Sequence, residues 1–168
     1  MIFQTFRVPT PSGSHVAGFH ATKINLYFKT KSQNLGATVE LRYTENGLPA
    51  DGVVPFSKVH LPASDINIST DGQTATTFTF ESPIFLKTSD LYSVAILADG
   101  ASPDYEVWLA RTGEVDISTS QPINIDGFAG ELSTSSLEPS LPRPYHDEDI
   151  KFDLWRASFT ANTGTLSV

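Results

Sequence analysis

Hydrophobicity in this chain alternates with a period of two almost everywhere. Ile24, Leu26 and Phe28 alternate with Asn25, Tyr27 and Lys29, and Val39, Leu41 and Tyr43 with Thr38, Glu40 and Arg42. Phe78 and Phe80 alternate with Thr77 and Thr79, and Tyr105, Val107 and Leu109 with Glu106, Trp108 and Ala110. Ile150, Phe152 and Leu154 alternate with Lys151, Asp153 and Trp155. Successive side chains of a strand point to opposite faces, so each run predicts a half-buried strand. The run Leu91–Ala98 is apolar at nearly every position, which predicts a central strand covered on both faces. The expected core is Ile24, Leu26, Phe28, Val39, Leu41, Phe78, Phe80, Val94, Ile96, Val107, Leu109, Phe152 and Leu154.

Turn chemistry separates the runs. Asn46-Gly47 and Asp71-Gly72 supply the positive φ that tight turns require, and Asp51-Gly52, Asp99-Gly100 and Asp126-Gly127 read the same way. No helix of ordinary length is expected; Pro62-Ala63-Ser64-Asp65-Ile66 suits a single turn. The strands, about eight or nine at this spacing, predict an all-β, two-sheet antiparallel β-sandwich of jelly-roll-like type. Residues 1–160 read as a single domain and residues 161–168 as a polar tail or linker. Residues 118–144 are rich in Ser, Pro and Gly with little alternation, and a stretch of that length suggests a binding loop or interface arm.

Composition excludes several chemistries. The 168 residues contain no Cys, which removes disulfides, thiolate metal sites and thiol nucleophiles. Net charge is -8, opposed to a phosphate backbone, so no nucleic-acid partner is expected. No window approaches a membrane span, so no membrane partner is expected. The first nine residues do not read as a signal peptide. Only 18% of residues are charged, leaving a Ser/Thr-rich surface of the kind common on extracellular and virion proteins.

A search for catalytic patterns finds little. There is no Gly-x-Ser-x-Gly elbow, and Gly13-Ser14-His15 places its Ser and His side by side rather than nucleophile against base. His15, His20, His60 and His146 lack metal-ligand spacing. Calcium prefers oxygen ligands, and Asp147-Glu148-Asp149 with Asp126 or Asp153 offers them; the plainer reading is a solvated acidic turn. Glu40 and Glu106 read as outward carboxylates that a glycosidase could pair, a pattern any acid-rich sandwich contains. No enzyme activity and no resident cofactor are expected. The candidate ligand or interface residues are therefore the aromatics Tyr27, Trp108 and Trp155, which fall on the less apolar parity of their strands. Such rings either stack on sugars or bury in packing and subunit contacts.

The ordered segments carry a resemblance. They begin with Ala21-Thr22-Lys23-Ile24-Asn25-Leu26-Tyr27-Phe28, Val39-Glu40-Leu41-Arg42, Asn46-Gly47-Leu48-Pro49, and Asp71-Gly72 followed by Thr77-Phe78-Thr79-Phe80. Pro83-Ile84-Phe85-Leu86, Tyr92-Ser93-Val94-Ala95-Ile96-Leu97, Tyr105-Glu106-Val107-Trp108-Leu109-Ala110 and Gly113-Glu114 continue the series. Gly130-Glu131-Leu132 and Asp149-Ile150-Lys151-Phe152-Asp153-Leu154-Trp155-Arg156-Ala157-Ser158-Phe159 complete it. In this order, over about residues 17–160, they resemble a β-sandwich module of tailed-phage virion structural proteins, particularly baseplate and tail-associated ones. That family usually carries a Phe after the Gly-x-Leu and a Trp near the Glu-Pro; Ser133 and Leu137-Glu138-Pro139 stand here instead. The resemblance implies no catalytic residues. It implies a virion location and assembly with other virion proteins, with a homo-oligomer also compatible. The alternative is a carbohydrate-binding module engaging a host-surface glycan.

Overall fold

The structure is a computed structural model that describes residues 1–9, 17–117, 119–124, 130–135 and 143–158. The strands in chain order begin with β1 (Ile2–Arg7), β2 (Gly18–Leu26), β3 (Phe28–Thr30), β4 (Ala37–Glu45), β5 (Leu48–Val53), β6 (Val59–Leu61) and β7 (Thr76–Lys87). They continue with β8 (Leu91–Ala98), β9 (Glu106–Val107), β10 (Leu109–Arg111), β11 (Leu132–Thr134), β12 (Arg143–Tyr145), β13 (Glu148–Ile150) and β14 (Phe152–Arg156). The described residues contain no α-helix. The turn expected at Pro62 to Ile66 forms as one 3-10 turn, Ala63–Asp65.

The fold is all-β, and every strand pairing among the described residues is antiparallel. The large sheet runs β12-β11-β1-β8-β4-β5, and β6 joins β4 along the same edge as β5. It curls, bringing β5 back toward β1. β8 lies between β1 and β4 and is buried on both faces, as its continuous apolar run predicts. A second sheet runs β14-β2-β7, and short ladders pair β3 with β9 and β10 with β13. β7 alternates buried and exposed residues along most of its length, with Phe78, Phe80, Ile84 and Leu86 inward. One hydrophobic core joins the sheets: Phe6 of β1 meets Phe152 of β14 at 5.6 Å between ring centres, and Phe28 meets Tyr105 edge-on at 5.8 Å.

Several expectations change. The described residues form fourteen strands, more than the eight or nine expected, because several runs break into short segments. Leu109 is 39% exposed and not in the core, and Val107 and Leu154 are only half-buried. Asp51-Gly52 lies inside β5, at an exposed sheet edge that tolerates such residues, and is not a turn. Residues 130–135 are no free arm. β11 adds to β1, Thr5 donates to the Glu131 carbonyl at 3.0 Å, and Ser135 donates to the Met1 carbonyl at 3.1 Å. His15, Asp126-Gly127, most of the 118–144 stretch that is neither 119–124 nor 130–135, and the tail 161–168 lie outside the described residues.

Candidate functional site

Three chain segments each break at a single residue, and the breaks meet. Tyr27 separates β2 from β3, Trp108 separates β9 from β10, and Lys151 separates β13 from β14. Each segment pairs with both of the others, one on either side of its break: β2 with β14, β3 with β9, and β10 with β13. Three strands cannot all be mutual neighbours in one flat ladder, so each must change partner where they converge. The backbone stays hydrogen-bonded through the change. Trp108 donates its N–H to the Tyr27 carbonyl at 2.8 Å, and Lys151 donates to the Trp108 carbonyl at 2.9 Å. The N–H groups at two of the three breaks, Trp108 and Lys151, are satisfied by this route.

The side chains at the three breaks are tied together by the loop before β7. Lys151 Nζ donates to the Gly72 carbonyl at 2.9 Å and lies 4.5 Å from the centre of the Tyr27 ring. Gly72 has φ +68° and lies against the Trp108 indole, where a Cβ would come within 3.2 Å of the ring. Trp108 donates its Nε1–H to the Ser69 carbonyl at 3.0 Å, and Ser69 donates its N–H to the Phe28 carbonyl at 3.1 Å. Tyr27 is buried, and its hydroxyl donates to Asp153 Oδ2 at 2.6 Å. That bond first, then burial and the carboxylate charge, push the phenol up to about 12.

Trp155 stands two residues beyond Asp153 on the same face of β14, 49% exposed, with Lys23 Nζ 4.6 Å from its ring centre. Lys23 reaches this ring from the central strand β2. The three aromatics singled out by parity thus lie on one connected stripe running Trp155, Asp153, Tyr27, Lys151, Gly72, Trp108. At its Trp108 end opens a groove of about 470 Å³, lined in part by Leu109, Arg111, Val115, Ile117 and Ile123. Arg111 bonds Glu148 through Nε at 2.9 Å and Glu114 through Nη1 at 3.0 Å, which holds its guanidinium above the ordinary value.

The other candidates do not converge. Glu40 is buried in β4 beside Arg42, whose Nε donates to it at 2.7 Å; it is not an outward carboxylate. Glu106 sits in β9 with Lys29 at 3.3 Å. Of the proposed calcium ligands, Glu148 accepts from Arg111, Asp149 accepts from Gln4 at 2.6 Å, and Asp153 accepts from Tyr27. Among the described residues no three His, Asp or Glu side chains form a metal group. His20 lies tilted against the Phe85 ring at 5.2 Å between centres, His60 contacts Asp99 at 2.9 Å, and His146 contacts Glu131 at 2.9 Å.

Two polar residues escaped the sequence reading. Gln4 is fully buried and links β1 to the acidic strand, donating to Asp149 and accepting the Ile150 N–H at 3.0 Å. Its signal was weak: a lone amide between Phe3 and Thr5 on a strand with no clear polar face. Lys151 showed only as a polar residue alternating with Ile150 and Phe152, and nothing in the sequence placed its cation over the Tyr27 ring.

No protein-family model matches this chain, and no curated protein and no solved structure is significantly similar to it. Among the described residues no helix is long and apolar enough to cross a membrane.

Proposed function

We propose that this chain is a non-catalytic, jelly-roll-like β-sandwich module that assembles with other proteins of a tailed-phage virion, in the tail or baseplate. One observation carries the reading: the aromatic candidates already spend ring faces inside the chain. Lys151 caps Tyr27, Gly72 covers Trp108, and Lys23 caps Trp155. A sugar platform would offer such faces to its ligand; here Tyr27 and Trp108 brace a strand junction. The resemblance of the ordered segments to virion modules points the same way. The test is mass spectrometry of gradient-purified tailed particles from the source culture. The reading expects peptides of this chain in amounts comparable with those of other structural proteins, and their absence from particles contradicts it.

Glycan binding is the second reading, and it draws on the open groove that Trp108 borders. It expects glycan-array signals that Trp108→Ala abolishes in a folded protein. An array on which the intact chain binds nothing removes it.

A further inference from the structure

The turn after β5 breaks a local rule. Val54, Pro55, Phe56 and Ser57 form it, closed by the Ser57 N–H to the Val54 carbonyl at 3.2 Å. Phe56, the third residue, has φ +64°, a conformation that turns of this kind reserve for Gly or Asn. Among the described residues the other non-glycine residues with positive φ are Asn46, Ser89, Ala101 and Ser120, all small or polar. Phe56 is bulky, and it gains nothing from the core, being 67% exposed. Nor is the turn loose. Ser57 is fully buried, and its hydroxyl accepts the Leu41 N–H at 2.9 Å and reaches the Val54 carbonyl at 2.7 Å. Val54 donates to the Leu41 carbonyl at 2.8 Å. The fold therefore holds a strained, apolar ring out into solvent on a rigid mount. Strain kept at an exposed site marks function more readily than stability.

The same chain offers a matching concavity. The groove beside Trp108 exposes Leu109, and Val115 and Ile117 are each 61% exposed along it. Its lining holds five carboxylates, Glu114 and Asp116 among them, against the cations Arg111 and Lys151. Lys58, two residues beyond Phe56, is exposed, and His60 is paired with Asp99 at 2.9 Å. Knob and socket are thus both apolar, and the exposed Lys58 beside Phe56 is opposite in sign to the net charge of the groove lining. They belong to different parts of the fold, the edge of the large sheet and the β10–β13 ladder.

We infer that Phe56 of one copy of this chain seats in the Trp108–Val115 groove of a second copy. Such a contact is head-to-tail, so it propagates into a ring or an open chain and does not stop at a symmetric dimer. An anchored aromatic in a desolvated socket is the usual form of an interface hot spot. The inference does not depend on where the particle places the chain.

Sedimentation equilibrium on the intact chain, with two variants, tests it. The wild type self-associates beyond a dimer as concentration rises. Phe56→Gly weakens that association about thirtyfold, the loss expected of a hot spot, and at the same time raises Tm, because glycine relieves the positive φ. A merely structural Phe would lower Tm instead. Val115→Asp weakens association to the same extent with Tm unchanged. Mixing the two variants restores one knob and one socket, so the mixture forms a 1:1 complex and nothing larger. A wild type that stays monomeric to millimolar concentration overturns the contact, as does either variant associating like the wild type, or a mixture that stays monomeric. A monomeric chain still found in particles overturns this contact and leaves the assembly reading standing.

Discussion

The Lys151 ammonium lies 4.5 Å from the centre of the Tyr27 ring while donating a 2.9 Å hydrogen bond to the Gly72 carbonyl. One side chain thus clamps two of the three strand breaks' surroundings, a ring below and a loop above. Lys151→Met keeps the aliphatic stem and removes the charge. The expected loss is about 1 kcal/mol, from one hydrogen bond and one cation–π contact that are partly solvated. Urea unfolding measures it, and an unchanged midpoint would show that the clamp contributes nothing.

The Tyr27 phenol gives a pH dependence with a definite sign. Its ordinary pKa of 10.0 rises to about 12 in the fold, chiefly through its bond to Asp153. The folded state holds the proton that the unfolded state releases between those values. This contribution is therefore complete below about pH 10 and is lost as pH rises toward 12. Stability across that window should fall less steeply in Tyr27→Phe than in the wild type. Ultraviolet absorbance of tyrosinate should show one late-titrating group that the variant lacks.

Gly72 is constrained twice, by φ +68° and by the indole 3.2 Å from where a Cβ would stand. Gly72→Ala should cost about 1–3 kcal/mol, the range for a non-glycine residue held in a left-handed conformation. Gly47 has φ +83° but nothing near it, so Gly47→Ala isolates the backbone part of that cost. If the two substitutions cost the same, the loop does not press on Trp108.

Gln4 joins the large sheet to the acidic strand from a fully buried position. Gln4→Leu fills the same space but leaves the Ile150 N–H without its acceptor and Asp149 without this donor. The expected loss is about 1–3 kcal/mol, the cost of orphaning buried polar groups. Thermal unfolding with no loss of Tm would mean that water replaces the amide.

The core makes a graded prediction. Leu41→Ala and Phe152→Ala remove buried side chains and should cost about 2–5 kcal/mol. Leu109→Ala, on the groove wall, should cost less than Leu41→Ala because 39% of the residue is already exposed to water. Equal losses at Leu41 and Leu109 would place Leu109 in the core after all.

Much of the fold was legible because alternation reports faces. Ile24, Leu26, Phe28, Phe78 and Phe80 point inward as their parity requires. Alternation does not report partners, however, and this explains the misplacement of Leu109. The pattern Val107, Trp108, Leu109 looks continuous, yet the chain changes partner at Trp108, and the face called inward emerges at the groove wall. The same limit hid the convergence of Tyr27, Trp108 and Lys151, whose contacts span distant parts of the sequence. The aromatics were visible as candidates from polarity alone; what binds their faces was not. Glu40 read as outward because its strand alternates, but β4 is buried on both faces over its first five residues, 37–41.

The most direct test of the account is a cryo-electron-microscopy map of the assembled tail or baseplate, in which this chain is traced. The account predicts the chain in the particle, with Phe56 and the Leu109–Val115 wall covered by neighbouring protein and Lys151 still seated over Tyr27. A particle lacking the chain, or holding it with both surfaces facing solvent, would contradict it.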